Sequence, residues 1–343
     1  MATVSPLSFY PDPSAIRGPK DSFGRTMNYL RISLTDRCNF RCMYCMPAMG
    51  MQFQPREEML TDDELIRLVG IFSQIGVTKL RLTGGEPTIR PHLTELIRAF
   101  KSFPGIEELS MTTNALLLSR KAKEYKEAGL DRINVSIDTL DPVKFRFMTR
   151  GGRFDMVWDG IEEADRVGLG PIKLNSVVLR GHNEHDVHKM AQLTIDRPWQ
   201  VRFLEIMPME GVGMVYEEGL VTSAETRAEL EKHFGPLEEL PAPPADPARI
   251  WRIPGAKGTI GFISPMSEPF CETCNRIRLT ADGNLRLCLM HGDEVNLRDM
   301  MRAGATDKEI ANTMLGGIWR KPWGHEAWER EVHTVRGMSQ IGG

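Results

Sequence analysis

Tyr29-Leu-Arg-Ile-Ser-Leu-Thr-Asp-Arg-Cys-Asn-Phe-Arg-Cys-Met-Tyr-Cys-Met46 carries two signals in one stretch. Leu30, Ile32 and Leu34 alternate with Arg31, Ser33 and Thr35, the period of a strand with one apolar and one polar face. Cys38, Cys42 and Cys45 follow in the loop beyond that strand. Similar β-rich stretches recur at residues 77–82, 107–112, 132–137, 172–179 and 201–206. Segments of helical character separate them; Thr61-x-x-Glu64 is a capping box ahead of Leu65, Leu68 and Val69, and a further helix is expected over residues 223–234. Strand alternating with helix predicts a parallel sheet with right-handed crossovers; an open antiparallel sheet with one solvated face is the competing reading of the same period. In a barrel the apolar faces bury under helices and the polar faces point inward, where a closed eight-stranded barrel packs Val, Ile and Leu. Here Arg31, Lys79, Arg81 and Lys173 fall on the inward face. Like charges so placed need a counter-charge, which predicts a wide lumen and a polyanionic ligand.

All six cysteines fall into two groups of three, Cys38-x3-Cys42-x2-Cys45 and Cys271-x2-Cys274-x13-Cys288. A structural zinc wants four protein ligands, so each group leaves a coordination position open. His291 follows Cys288 closely enough to complete a Cys3His zinc site, which stays open as the alternative for the second group. The 343 residues, 41% hydrophobic, suit one large α/β domain with a smaller one appended. There is no apolar run of membrane-spanning length and no apolar core of a secretory signal, so a cytoplasmic protein is expected, in a compartment that keeps thiols reduced. A net charge of -3 gives no global case for nucleic acid or membrane as partner; any anion site is local. Pro241-Ala-Pro-Pro-Ala-Asp-Pro247 can hold neither helix nor central strand and is expected to link two domains. The organisation predicted is a flexible extension at 1–20, a barrel domain at 21–240, a linker at 241–247 and a C-terminal domain at 248–343.

Thr83-Gly-Gly-Glu-Pro87 ends the second strand, with glycines that let the backbone approach a ligand closely. With the cysteine spacing, this loop resembles the radical S-adenosylmethionine (SAM) enzymes. The resemblance implies that Cys38, Cys42 and Cys45 hold a [4Fe-4S] cluster whose open iron chelates SAM, and that Tyr44, Gly85, Ser136 and Met207 contact SAM. Reductive cleavage of SAM then supplies a 5′-deoxyadenosyl radical, with the protein positioning the cofactor and excluding water.

Asp282-Gly283, between alternating apolar residues, signals a hairpin. A two-residue loop pairs 281 with 284 and Ile277 with Cys288, bringing the third thiol beside Cys271 and Cys274. Arg276 and Arg278 share one strand face beside them, and guanidinium forks suit phosphate oxygens.

From Asp21-Ser-Phe-Gly-Arg25 through Gly129-Leu-Asp-Arg-Ile-Asn-Val-Ser-Ile-Asp138 and Phe270-Cys-Glu-Thr-Cys-Asn-Arg-Ile-Arg-Leu-Thr-Ala-Asp-Gly283 to Ile341-Gly-Gly343, the chain resembles the GTP 3′,8-cyclase family of molybdenum cofactor biosynthesis. That implies an α/β fold, a partial (β/α)6 TIM-type barrel with a smaller C-terminal domain carrying a second iron–sulfur cluster. It implies a lyase that cyclises GTP to (8S)-3′,8-cyclo-7,8-dihydroguanosine 5′-triphosphate, with two [4Fe-4S] clusters and SAM as cofactors. GTP would meet Arg31, Lys79, Arg81, Thr112, Lys173, Arg202, Arg276, Ile277 and Arg278, with guanine at the cluster of Cys271, Cys274 and Cys288. The tail glycines Gly342 and Gly343 would assist the radical step. An electron donor, the next enzyme of the pathway (cyclic pyranopterin monophosphate synthase) and a homodimer are the implied partners. Ala115 stands where the family usually has glycine, which puts the turn after Thr112-Thr-Asn114 under question. A peptide-modifying radical SAM maturase and a zinc-stabilised binding module are the rival functions; the lumen cations disfavour the first, and the second leaves the N-terminal cysteines unexplained.

Overall fold

The six alternating stretches form β1 (Tyr29–Ser33), β2 (Lys79–Thr83), β3 (Glu108–Thr113), β4 (Arg132–Ser136), β5 (Lys173–Val178) and β6 (Gln200–Glu205). Each pairs parallel with the next. The computed structural model describes residues 18–209, 213–325 and 336–342; most of the expected N-terminal extension and Gly343 lie outside the described residues. Between the strands run α1 (Asp62–Gln74), α2 (Leu93–Lys101), α3 (Leu118–Ala128), α4 (Pro142–Met148), α5 (Phe154–Arg166) and α6 (Val187–Asp196); α7 (Gly213–Gly219) and α8 (Ser223–Phe234) follow β6. The expected capping box starts α1: Thr61 Oγ1 accepts from the Glu64 N–H at 3.2 Å, and the Glu64 carboxylate accepts from the Thr61 N–H at 2.9 Å. Leu65, Leu68, Val69 and Phe72 of α1 bury against Leu30, Ile32, Leu80 and Leu82, so the core lies between sheet and helices. Each fully buried side chain of this size contributes about 1.5–3 kcal/mol, enough to commit the polar strand faces to the lumen.

Two strands lengthen the parallel array, one not anticipated and one expected only as a strand of the C-terminal hairpin. β9 (Thr259–Ile263) pairs parallel with β6, and β10 (Arg276–Leu279) pairs parallel with β1. Outside β10 lie antiparallel β11 (Asn284–Arg286) and β12 (Glu294–Asn296); outside β9 lie antiparallel β8 (Arg249–Arg252) and β7 (Glu238–Leu240). The order β12-β11-β10-β1-β2-β3-β4-β5-β6-β9-β8-β7 leaves β9 and β10 unpaired with each other, so the barrel is an open arc.

The segment 241–247 joins β7 to β8, which pair through Leu240 and Ile250. It is a hairpin loop within the common sheet, and residues Pro243 to Pro247 line the lumen. The β10–β11 hairpin also differs from its expected register by one residue. Arg278 pairs with Arg286 and Leu279 with Leu285, and the Thr280 N–H donates to the Asn284 carbonyl at 2.9 Å, leaving three residues in the loop. Gly283 at φ 84° supplies the left-handed residue that such a loop needs.

Candidate active site

The cysteine loop is fastened on both flanks. On one side the Gly85 N–H donates to the Thr35 carbonyl at 2.7 Å and the Glu86 N–H to the Arg37 carbonyl at 2.9 Å. The approach is so close that a Cβ at Gly84 would stand 2.5 Å from the Thr35 oxygen, and one at Gly85 2.2 Å from the Arg37 oxygen. Both glycines are therefore required by packing against the cysteine loop. Glu86 extends the fastening: its buried carboxylate accepts from Thr113 Oγ1 at 2.7 Å and from the Asn114 N–H at 2.7 Å, tying the loop to the end of β3. On the other side the Met43 N–H donates to the Met148 carbonyl at 3.0 Å, and Arg150 Nη1 to the Met46 carbonyl at 2.7 Å.

Burial, aided by nearby negative groups, pushes the Cys38 thiol up to about 11 and Cys45 up to about 12, and holds Cys42 well above the usual thiol range. Three thiols that resist ionising together are a set that needs a cationic group between them, as an iron–sulfur cluster provides. Tyr44 Oη donates to Asp138 Oδ2 at 2.8 Å, and burial holds the Asp138 carboxyl up at about 6.

The second set stands at the other end of the strands. Cys274 precedes β10 and Cys288 follows β11, while the first set lies beyond the end of β1. Cys271, Cys274 and Cys288 are near enough for their charges to act on one another. Burial pushes the Cys274 thiol up, but Arg276 and Lys321 outweigh it and bring it down to about 7. Among the described residues no three His, Cys, Asp or Glu side chains converge as a single metal ion would require.

Between the two ends lies a cavity of about 540 Å³. Arg31, Lys79, Arg81, Thr112, Lys173, Arg202, Arg276 and Arg278 all line it, as do Tyr44, Gly85, Ser136 and Met207. Ile277 does not: its side chain is fully buried in the core, on the strand face opposite Arg276 and Arg278, leaving only its backbone to serve the lumen. Arg132 is a further lumen cation, missed although it shares the parity of Asn134 and Ser136. The cations depress one another. Burial first, then Arg278, holds Arg31 well below the usual arginine range; burial, then Arg202, brings Lys173 down to about 7. Asn175 Oδ1 and Asn275 Oδ1 are buried with no hydrogen-bond partner among the described residues, and both side chains line the cavity. A wall rich in cations and two unmatched acceptors together fit a ligand that carries both anionic and donor groups.

The tail reaches the same space. Ile341 is fully buried with Met209 and Met290, Met338 packs against them, and the Gly342 carbonyl accepts from Arg278 Nη1 and, at 3.4 Å, from Arg31 Nε. Gly342 has φ 69°, and a Cβ there would stand 2.3 Å from Thr83 Oγ1. Gly343 lies outside the described residues.

Residues 32–194 match the Radical SAM superfamily, and residues 199–327 match Molybdenum Cofactor Synthesis C. The GTP 3′,8-cyclase of Pelotomaculum thermopropionicum is 46% identical over 328 residues, covering 94% of this chain and 100% of that protein. The mitochondrial GTP 3′,8-cyclase of Arabidopsis thaliana is 41% identical over 324 residues, covering 94% of this chain and 83% of that protein. Among solved structures, Streptococcus suis SuiB bound to S-adenosylmethionine superposes with a TM-score of 0.57 at 15% identity, covering 87% of this chain and 68% of that one, a likeness of fold.

Proposed function

The chain belongs to the GTP 3′,8-cyclase family of radical SAM enzymes, and from that premise we propose a division of labour along the barrel. The enzyme uses SAM and two [4Fe-4S] clusters to convert GTP to (8S)-3′,8-cyclo-7,8-dihydroguanosine 5′-triphosphate, the first step of molybdenum cofactor biosynthesis. In our reading Cys38, Cys42 and Cys45 hold the SAM-binding cluster, and Tyr44, Gly85, Ser136 and Met207 bear on SAM. When bound, that pair supplies the one-electron chemistry that opens the reaction at the ribose. The lumen residues Arg31, Lys79, Arg81, Thr112, Lys173 and Arg202 hold the triphosphate and ribose. Arg276 and Arg278, with the backbone of Ile277, steer guanine to the cluster of Cys271, Cys274 and Cys288. The observation that carries the reading is one cavity with the first thiol set at one end, the arginines beside the second set at the other, and eight Arg and Lys side chains along its wall.

The proposal extends to a lyase acting in the cytoplasm, fed by an external one-electron donor and handing its product to cyclic pyranopterin monophosphate synthase, with a homodimer as the working assembly. No helix among the described residues is long and apolar enough to cross a membrane. Residues 21–240 are taken as the SAM half and 248–343 as the half that carries the second cluster and the tail.

The test separates the two thiol sets. Cys42→Ala is expected to abolish 5′-deoxyadenosine formation, whereas Cys274→Ala keeps some SAM cleavage and loses cyclised product. Equal loss of SAM cleavage in both, in folded protein that retains the N-terminal cluster in Cys274→Ala, defeats the division.

A further inference from the structure

One lumen carboxylate sits where the substrate's phosphates are assigned. Asp246 Oδ2 lies 2.9 Å from Arg202 Nη2 and 4.0 Å from Lys173 Nζ, with the three side chains only 14%, 6% and 16% exposed. Its Oδ1 also accepts from the Ala248 N–H at 3.0 Å, and the Asp246 N–H donates to the Pro243 carbonyl at 3.1 Å. Asp246 belongs to the loop 241–247, in which four of seven residues are proline and bring no N–H of their own. With so few backbone donors, the loop relies on this carboxylate for its hold on the barrel. The preceding Ala245 stands at φ 60°, a conformation that L-residues other than Asn and Asp rarely take, so the loop is held in place against its own backbone preference.

We propose that Asp246 is a built-in competitor for the substrate's polyphosphate: it occupies Arg202 and Lys173 in the empty enzyme and is displaced, with its loop, when the phosphates arrive. The inference rests on the assignment of Arg202 and Lys173 to the triphosphate. A carboxylate tethered this close acts at a high effective concentration, on the order of millimolar even for a flexible linker of this length. It keeps weak single anions off the two cations, while a triphosphate reaching several lumen cations at once outbids it. It also rejoins the cations as the equally anionic product leaves, so the enzyme does not hold its product through the charges that captured its substrate. Asp246 is in this sense a specificity-determining residue that is never in contact with bound substrate.

The test uses cluster-loaded protein with GTP, inorganic triphosphate and guanosine as probes. Asp246→Asn removes the competing charge and is expected to bind GTP and inorganic triphosphate about ten- to a hundredfold more tightly, with guanosine unchanged. Asp246→Glu, which keeps the charge, is expected to stay near wild type. Wild-type protein gives a second measurement that needs no variant: inorganic triphosphate should speed amide exchange at Ala248, whose N–H loses the Asp246 oxygen, where an ordinary ligand slows exchange at its site. Unchanged or weaker triphosphate binding in Asp246→Asn, or slowed exchange at Ala248, overturns the proposal. Arg202→Ala separates the two readings. If it fails to weaken GTP, the phosphate assignment itself falls; if it weakens GTP while Asp246→Asn does not tighten it, the competitor role falls alone.

Discussion

Ala115 illustrates how opposing terms settle at one position. It stands at φ 62° and is fully buried, so the family's usual glycine is replaced by a residue that must adopt the left-handed region. The strain costs about 1–2 kcal/mol. Its methyl group returns about 0.8 kcal/mol by burial, and alanine costs the unfolded chain about 0.4–1 kcal/mol less entropy than glycine on folding. These nearly cancel, so Ala115→Gly is expected to change unfolding free energy by less than about 1 kcal/mol in denaturant titration; a larger loss would mean that the methyl packs better than its backbone suffers. Lys173 gives a prediction with a definite sign. Burial and the neighbouring arginines hold its ammonium down at about 7 in the empty lumen, and a bound phosphate favours the charged form. GTP affinity should therefore be full below about pH 7 and fall as pH rises beyond it, by up to about tenfold per unit, while guanosine affinity stays flat. Calorimetry at pH 8 in buffers of different ionisation enthalpy should record proton uptake with GTP. Absence of uptake would remove Lys173 from the phosphate site.

At the scale of elements, what could be read from the chain was what repeats. Period-2 alternation over β1, β4 and β5, set between amphipathic helices, identified strands, direction and inward face together, because the core lies on one side of the sheet. β9 and β10 were not foreseen as members of the parallel array, since no helix precedes them in a β-α-β rhythm and their neighbours are antiparallel hairpins. The hairpin register slipped by one because the Asp-Gly signal fits both a two-residue loop and a longer loop ending in a left-handed glycine; Gly283 takes the second. By sequence the proline-rich segment reads as a spacer, because proline excludes regular structure and says nothing about what Asp246, the one charged residue among them, meets. Arg132 needed only the parity already applied to Asn134. The Gly-Gly loop was assigned to SAM by resemblance, yet its tightest constraint is the backbone of the cysteine loop. Gly85→Ala, which would drive a Cβ to 2.2 Å from the Arg37 oxygen, is therefore expected to displace that loop and lose the N-terminal cluster while keeping the C-terminal one. Iron and sulfide analysis of anaerobically purified protein, with the spectroscopic signature of each cluster, checks this. Full iron content with only SAM affinity reduced would show that the glycine serves the ligand alone.

At the scale of the whole molecule, the tail touches both halves of the site. Arg336 is held at its root, with Nη2 2.9 Å from both Asp282 Oδ2 and Glu294 Oε2 in the hairpin region of the second thiol set. Ser339 then offers its N–H to Cys45 of the first set and its hydroxyl to Met51 Sδ at 3.1 Å. Ile341 buries among methionines, and Gly342 comes to rest between Arg31, Arg278 and Thr83. A terminus is ordinarily frayed, since few contacts offset the entropy of ordering it. Residues 336–342 are held by an ion-paired root and a buried isoleucine, so the energy that places Gly342 comes from residues before it. Gly342 adds what a side chain would prevent: an approach to the strand ends of β1 and β2 at positive φ, inside the space assigned to substrate. Deleting Gly342 and Gly343 should therefore leave both clusters, SAM binding and the thermal stability of the fold intact while severely lowering cyclisation. Gly342→Ala should do the same, because its Cβ would stand 2.3 Å from Thr83 Oγ1. Arg336→Ala should reach the same defect from outside the lumen, by releasing the root while the glycines remain. Cyclised product formed at the wild-type rate by the truncated enzyme under anaerobic conditions would reduce the tail to a terminus that happens to pack well. A defect confined to the truncation and absent from Arg336→Ala would keep the glycines and discard the anchor.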